Sequence, residues 1–225
     1  MIFSLGAGWP SLTGAGEPPD TQLWNEAKLT ARLNDRFDLV VGGVLRLGDD
    51  VSQIIRVSSL LGVNVKVTKI FSFTPNYQYI VDDPGEADQG IENRFGLWPT
   101  LSLPLASSKV VLSNGLEFRS FETKPDMWRW RPRLSISHPV GPKALGLSAY
   151  LSDEFFYEIN NETWTRNRLS AGLGKRLGEH ITVQLYYTRQ MQLKANQQDL
   201  NIIGLSWLID FGPTAKPVVI PPTPR

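Results

Sequence analysis

Apolar and polar residues alternate with a period of two along most of this chain, and that pattern restricts it to strands. In 23–33, Leu23, Ala27, Leu29, Ala31 and Leu33 share one phase, and Trp24, Glu26, Lys28, Thr30 and Arg32 share the other. After Asn34-Asp35-Arg36 the pattern resumes with Phe37, Leu39, Val41, Leu45 and Leu47, so the short polar break reads as a hairpin turn. The same signature recurs near 54–67, 70–81, 91–103, 109–121, 127–138, 144–156, 164–177, 181–192 and 199–211. Strands in soluble proteins average about 5 or 6 residues. These run to about 11 to 14, enough to cross a bilayer at a tilt, which takes about 9 to 11.

The charges decide which phase faces where. On the apolar phase the charged residues are Asp153, Lys175 and Arg189, each placed near a strand end by these boundaries. The opposite phase carries Glu26, Arg46, Arg56, Arg94, Glu117, Arg119, Arg129, Arg131, Arg133, Glu154, Arg166 and Arg168, among others. Arginines at alternate positions 129, 131 and 133 cannot face lipid, and a small dry core would not hold them. The polar phase therefore faces a wide, wet lumen and the apolar phase faces lipid. This is the pattern of an all-β, antiparallel up-and-down transmembrane β-barrel. Polar loops at Gly48-Asp49-Asp50, 82–85, 123–126, 160–162 and 194–199 alternate with shorter turns after Leu33, Val67, Leu103, His138 and Leu177. Outward aromatics gather towards the two ends, as rings do at headgroup level: Tyr77, Tyr79, Phe95, Phe118, Trp128, Trp130 and Tyr187 at the long-loop end, Phe37, Phe71 and Phe211 at the other. Pro75, Pro99 and Pro132 fall inside strands, where local bulges are expected.

Strand number follows from parity. Eleven runs are clear, and bacterial single-chain barrels normally have an even count. Residues 2–9, with Phe3, Leu5, Ala7 and Trp9 outward, can supply a further strand, giving about 12. The chain then divides into an N-terminal segment 1–21 (a first strand and loop, or an export remnant), the barrel 22–211 and a Pro-rich periplasmic tail 212–225. Met1 to Gly16 holds no lysine or arginine, and Gly6, Gly8 and Pro10 break its apolar stretch. A signal peptide is thus not evident, and the expectation is a true start upstream or an export segment already removed.

The order of several motifs carries a resemblance. Leu23-Trp24 leads into a hairpin whose second strand ends in Arg46. Glu117-Phe118-Arg119, Trp128-Arg129-Trp130-Arg131-Pro132-Arg133, Ser152 to Phe156, Arg166-Asn167-Arg168 and Ala171-Gly172-Leu173-Gly174 follow. The set resembles a family of bacterial outer-membrane barrels catalogued as a domain of unknown function. The likeness runs from about Gln22 to Phe211. It implies the fold and a place in the bacterial cell outer membrane, and no reaction.

Composition removes several classes. A formal net charge of +1 is unlike a dedicated nucleic-acid binder. With no cysteine and two histidines there is no thiol nucleophile and no histidine-rich metal site. His138 and His180 sit at short-turn ends, and Asp153 and Glu154, as strand neighbours, face opposite sides. No catalytic constellation, metal site or cofactor site is expected, and the chain does not read as an enzyme.

What remains is transport or binding against scaffold. Inward basic residues exceed inward acids (Glu26, Asp38, Glu92, Glu117, Glu154 and Asp210) by about seven charges. Arg119, Arg129, Arg131, Arg133, Arg166 and Arg168 are the candidate anion-binding residues, with Glu117 and Glu154 as their salt-bridge partners. The expected function is a small anion-preferring pore or ligand-binding barrel. The alternative is a non-conducting scaffold barrel with a salt-bridged lumen, partner in an outer-membrane complex. Expected partners are outer-membrane lipid, the barrel assembly machinery and small anions, and no nucleic acid.

Overall fold

Each alternating run becomes a strand in the computed structural model, which describes residues 19–86, 89–194 and 197–212. The strands are β1 Asp20–Arg32, β2 Phe37–Gly48, β3 Gln53–Lys66, β4 Phe71–Asp82, β5 Gly90–Leu105 and β6 Ser108–Phe121. They continue as β7 Met127–Pro139, β8 Leu147–Glu158, β9 Thr163–Leu177, β10 Ile181–Gln192 and β11 Leu200–Phe211. Each pairs antiparallel with the next, and the sheet closes into a barrel. Leu61, Phe95, Leu134, Leu173 and Leu185 are exposed on the outside, while Glu117, Arg131 and Gln184 are buried within. The polar phase faces the lumen, which makes this a transmembrane β-barrel.

The closure differs from the expected even count. β1 runs parallel to β11 over its full length, from Asp20↔Leu200 to Ala31↔Phe211. In a meander of eleven strands the first and last point the same way, so parallel pairing is the one route to closure. β1 also pairs with β2, so neither of its edges is free for a twelfth strand. Residues 2–9 and the tail beyond Gly212 lie outside the described residues.

The prolines act differently from the bulges expected of them. Between Gly62↔Asn76 and Val65↔Phe73 the β3–β4 ladder lapses beside Pro75, and its register is unchanged on either side. The β5–β6 ladder lapses in the same way at Pro99, and the β7–β8 ladder at Pro132. On its other side each proline stays in register with its neighbour. A missing N–H removes one bond to one strand, and a closed sheet tolerates that without inserting a residue. The register shifts lie elsewhere, between Arg46 and Leu47 against β3, and between Phe156 and Tyr157 against β9.

Three further expectations change. The connection after β7 is not short: residues 140–146 include a 3-10 turn, Lys143–Leu145. β8 therefore starts at Leu147, and Asp153 lies mid-strand rather than near an end, accepting a 2.5 Å bond from Asn167 Nδ2 on the barrel exterior. Asp82, read as a loop acid, is the last residue of β4 and bridges Arg56.

Candidate functional site

Lumenal charge is concentrated in the half of the barrel nearer the Gly48–Gln53, Asp82–Gly90 and Glu158–Thr163 connections. Period two places Arg94 beside Glu92 on β5, Glu117 beside Arg119 on β6, and Arg129, Arg131 and Arg133 in one row on β7. Neighbouring strands then bring opposite charges together. Glu117 accepts from Arg129 Nη2 at 2.5 Å and from Arg131 Nη1 at 2.7 Å, and it is wholly buried. Arg131 Nη2 donates to Glu154 on β8 at 2.9 Å. Glu92 accepts from Arg94 Nε and Arg119 Nε, both at 2.7 Å. Such charge-assisted bonds are short and strong, and they satisfy buried guanidiniums that would otherwise be costly.

Beside this network, guanidiniums rest on aromatic rings. Arg46 lies 3.7 Å from the Trp24 ring centre and Arg168 lies 4.8 Å from the same ring. Arg168 also stands 4.7 Å from Phe156, which Arg131, Arg166 and Arg129 approach at 4.5, 5.3 and 5.4 Å. Arg131 is 5.0 Å from Trp98. Arg46, Trp24, Arg168, Phe156, Arg131 and Trp98 thus form one alternating chain of cations and rings. It passes from β2 through β1, β9, β8 and β7 to β5, and none of the six is more than 7% exposed. The step from β1 to β9 skips β11 and β10, so the chain bridges the lumen.

Nearer the other end the lumen is packed by rings. Tyr150 and Tyr186 form a buried pair. Tyr186 covers Gly204, where an added Cβ would come within 1.9 Å of its ring, and Trp98 covers Gly115 in the same manner at 2.2 Å. The glycines leave room for the rings against the wall. Lys66 and Asp38 pair at 2.6 Å near the rim. Arg176 donates to the carbonyls of Gly178 and Glu179 there, and Arg32 and Asp210 are exposed.

A family model described as Protein of unknown function (DUF2490) matches residues 21–201. The chain belongs to this family. Among curated proteins none matches it. A solved structure, an anion-selective porin from Comamonas acidovorans, is similar at 12% identity with a TM-score of 0.41, over 80% of this chain and 53% of the porin. The chain thus spans about half the length of that porin.

In this DUF2490 barrel the sequence-selected residues divide into two groups. Arg119, Arg129 and Arg131 are held by Glu92 or Glu117. Arg166 and Arg168 lie over Phe156, and Arg168 Nε donates to Gln190 Oε1 at 2.6 Å. Arg133 is buried one pair below Arg131, opposite Glu154 in the β7–β8 register. Sequence reasoning passed over Glu92 as a hub, Glu158 as a lumenal acid bonded by Lys194 at 2.7 Å, and the rings Trp24, Trp98 and Phe156. Their inward phase was legible. A polar lumen gave no reason to expect large rings in it. Outside, Trp130, Tyr157 and Trp164 cluster at 5.0 to 6.5 Å near the long-loop end, and Trp164 and Tyr157 extend the expected aromatic band.

Proposed function

We propose that this chain is a bacterial outer-membrane barrel whose lumen is closed at rest, a structural or scaffold component of that membrane and not an open pore. The observation that carries the reading is the buried chain from Arg46 to Trp98 across the lumen. A conducting path has to pass it, and its member Arg131 is tied to Glu117 and Glu154 besides. Small barrels are commonly filled by their own side chains. The apolar exterior with its aromatic clusters supports lipid as the surrounding medium, and insertion by the barrel assembly machinery goes with that location.

The reading includes no catalysis. His138 Nδ1 lies 2.9 Å from Ser108 Oγ at an exposed rim, and among the described residues no group engages its other ring nitrogen. A base that nothing orients is a poor activator of a hydroxyl. His180 is occupied with the Asp210 carbonyl at 2.7 Å.

Conductance across a planar bilayer tests the proposal. The purified barrel is expected to give no steady current above leak. A stable wild-type conductance with an anion-weighted reversal potential in a salt gradient would overturn the closed lumen in favour of a small anion-preferring pore.

A further inference from the structure

Two polar side chains stand on the lipid-facing side of the wall, in the middle of their strands. Asp153 on β8 accepts from Asn167 Nδ2 through Oδ1, and among the described residues nothing bonds its other carboxylate oxygen. Asn114 on β6 is exposed on the outward phase, and among the described residues its amide has no hydrogen-bond partner. Their surroundings are apolar. Leu134, Leu151, Phe155 and Leu169 frame Asp153, and Leu112 and Leu116 frame Asn114, each of them 39% to 51% exposed. A carboxylate or a bare amide turned to hydrocarbon is costly, and an ionisable group at that depth calls for a partner.

The two groups lie level and flank one strand. β6 and β8 run the same way on either side of β7, and Asn114 and Asp153 are each the seventh residue of their strand. The register agrees. Leu112, Leu134 and Asp153 are successive partners on β6, β7 and β8. Such a line of partners climbs towards the long-loop end with strand number. From Ala27, mid-strand on β1, it passes Gly43, Ser59, Tyr79 and Asn93 and arrives at Ser120, next to last in β6. At a tilt of about 40°, two strand spacings lift it by about 6 Å. Asn114 stands two residues above Leu112, and two residues of a strand so tilted rise about 5 Å. The amide and the carboxylate therefore share one depth.

We infer that this wall is a dimer interface, its partner a second copy of the chain related by a twofold axis along the membrane normal over β7. Copies inserted in one membrane share an orientation, so a twofold between them has to lie along the normal. That axis lays β6 of each copy against β8 of the other and brings Asn114 of each to Asp153 of the other. The amide N–H donates to the free carboxylate oxygen, and the bond forms twice. Leu134 and Ile136 on β7, 51% and 41% exposed, meet their own copies at the axis. Donor and acceptor stand at one depth on opposite sides of one strand, which is the self-complementarity that an isologous contact requires and a foreign partner does not. The inference deepens the scaffold reading by naming its partner. It rests on the membrane setting of that reading and not on the closed lumen.

Sedimentation equilibrium of the full-length barrel in density-matched detergent tests it, beside disulfide trapping in phosphatidylcholine vesicles. A reversible dimer is expected, weakened about tenfold or more in Asn114→Leu. Asn114→Asp sets carboxylate against carboxylate and should weaken it further. Adding Asp153→Asn to Asn114→Asp exchanges the two groups and should restore most of the association. Asn25→Leu removes another exposed outward amide, on β1 across the barrel, and should change nothing. The chain has no cysteine, so single thiols report contact directly. Leu134→Cys at the axis should cross-link to its own copy on oxidation, and Leu61→Cys on β3 should not. Heat-modifiable gel migration reports whether each variant is folded. Should the variants at 114 not fold, the two cysteine variants decide. A wild-type monomer at every concentration overturns the interface. So do cross-linking at Leu61 in place of Leu134, an exchange that restores nothing, and a loss in Asn25→Leu equal to that in Asn114→Leu. Bilayer current is read separately. A non-conducting monomer overturns the dimer alone, a conducting dimer overturns the closed lumen alone, and a monomer that stays soluble without detergent overturns the membrane setting beneath both.

Discussion

Two neighbouring regions of the lumen bury guanidinium groups by different means. Around Glu117 the means is ionic: one fully buried carboxylate takes bonds from Arg129 and Arg131, with Arg94 Nη1 at 3.9 Å. Around Trp24 and Phe156 it is the ring face, with Arg46, Arg166 and Arg168 held by quadrupole attraction and dispersion. The difference bears on what each region can do. A carboxylate neutralises the charge it holds and leaves little for a ligand. A ring fixes the position of a cation and leaves its charge intact. The first region therefore closes the barrel with neutralised pairs, and the second with rings that fix cations in place across the lumen.

The sharpest break in that comparison is Glu117→Leu. It strands Arg129 in a buried place and leaves Arg131 with Glu154 alone, and breaking a buried ion pair from one side costs about 3 to 5 kcal/mol. The variant is expected to lose heat-modifiable migration or to shift its urea midpoint to much lower denaturant. Wild-type stability in this variant would mean that water reaches the hub and that it is no part of a dry core.

A smaller effect is expected from Phe156→Leu. The ring is wholly buried, but three of the four guanidiniums around it keep a bonded partner: Arg129 keeps Glu117, Arg131 keeps Glu117 and Glu154, and Arg168 keeps Gln190. Desolvated cation–π contacts contribute roughly 2 kcal/mol, and loss of a few core atoms adds a cavity cost of similar order. Unfolding in urea should come earlier than in wild type and later than in Glu117→Leu. An order reversed between the two would show that rings, not carboxylates, dominate the lumen.

The fold was legible because alternation is a backbone property that survives any lumen content. The strand runs near 37–47, 127–138 and 181–192 fall within a residue or so of β2, β7 and β10. Parity was not legible: the parallel β1–β11 ladder needs only that two terminal strands find each other, and no residue pattern encodes that. Within the site, the phase of Arg129, Arg131, Arg166 and Glu117 could be read, but the choice of partner could not. Arg119 bonds Glu92, not the adjacent Glu117, because partners are set by the stagger between strands and not by sequence distance. Phe156 stood in plain view beside Phe155. Alternation turns one ring to lipid and the other into the cluster of arginines, and nothing in its identity announces that role.

The smallest effect belongs to an arginine outside the barrel. Arg189, on the outward phase of β10, repeats the chemistry of the Glu117 hub: Nη2 donates to Asp199 at 2.7 Å and Nη1 to Asn201 at 2.9 Å. Its surroundings differ, since the two side chains are 35% and 33% exposed near the last loop. Water and salt screen such a pair, and its contribution is about 0 to 1 kcal/mol. Arg189→Gln should therefore shift the urea midpoint little, and the shift should shrink further as salt is raised towards 0.5 M or so, where screening lengths fall to a few ångströms. The same bond lengths would then give effects several-fold apart at Glu117 and Arg189, which assigns the difference to burial. A loss at Arg189 as large as at Glu117, and insensitive to salt, would instead assign it to the loop that Asp199 holds through the backbone N–H of Gln192 at 2.8 Å.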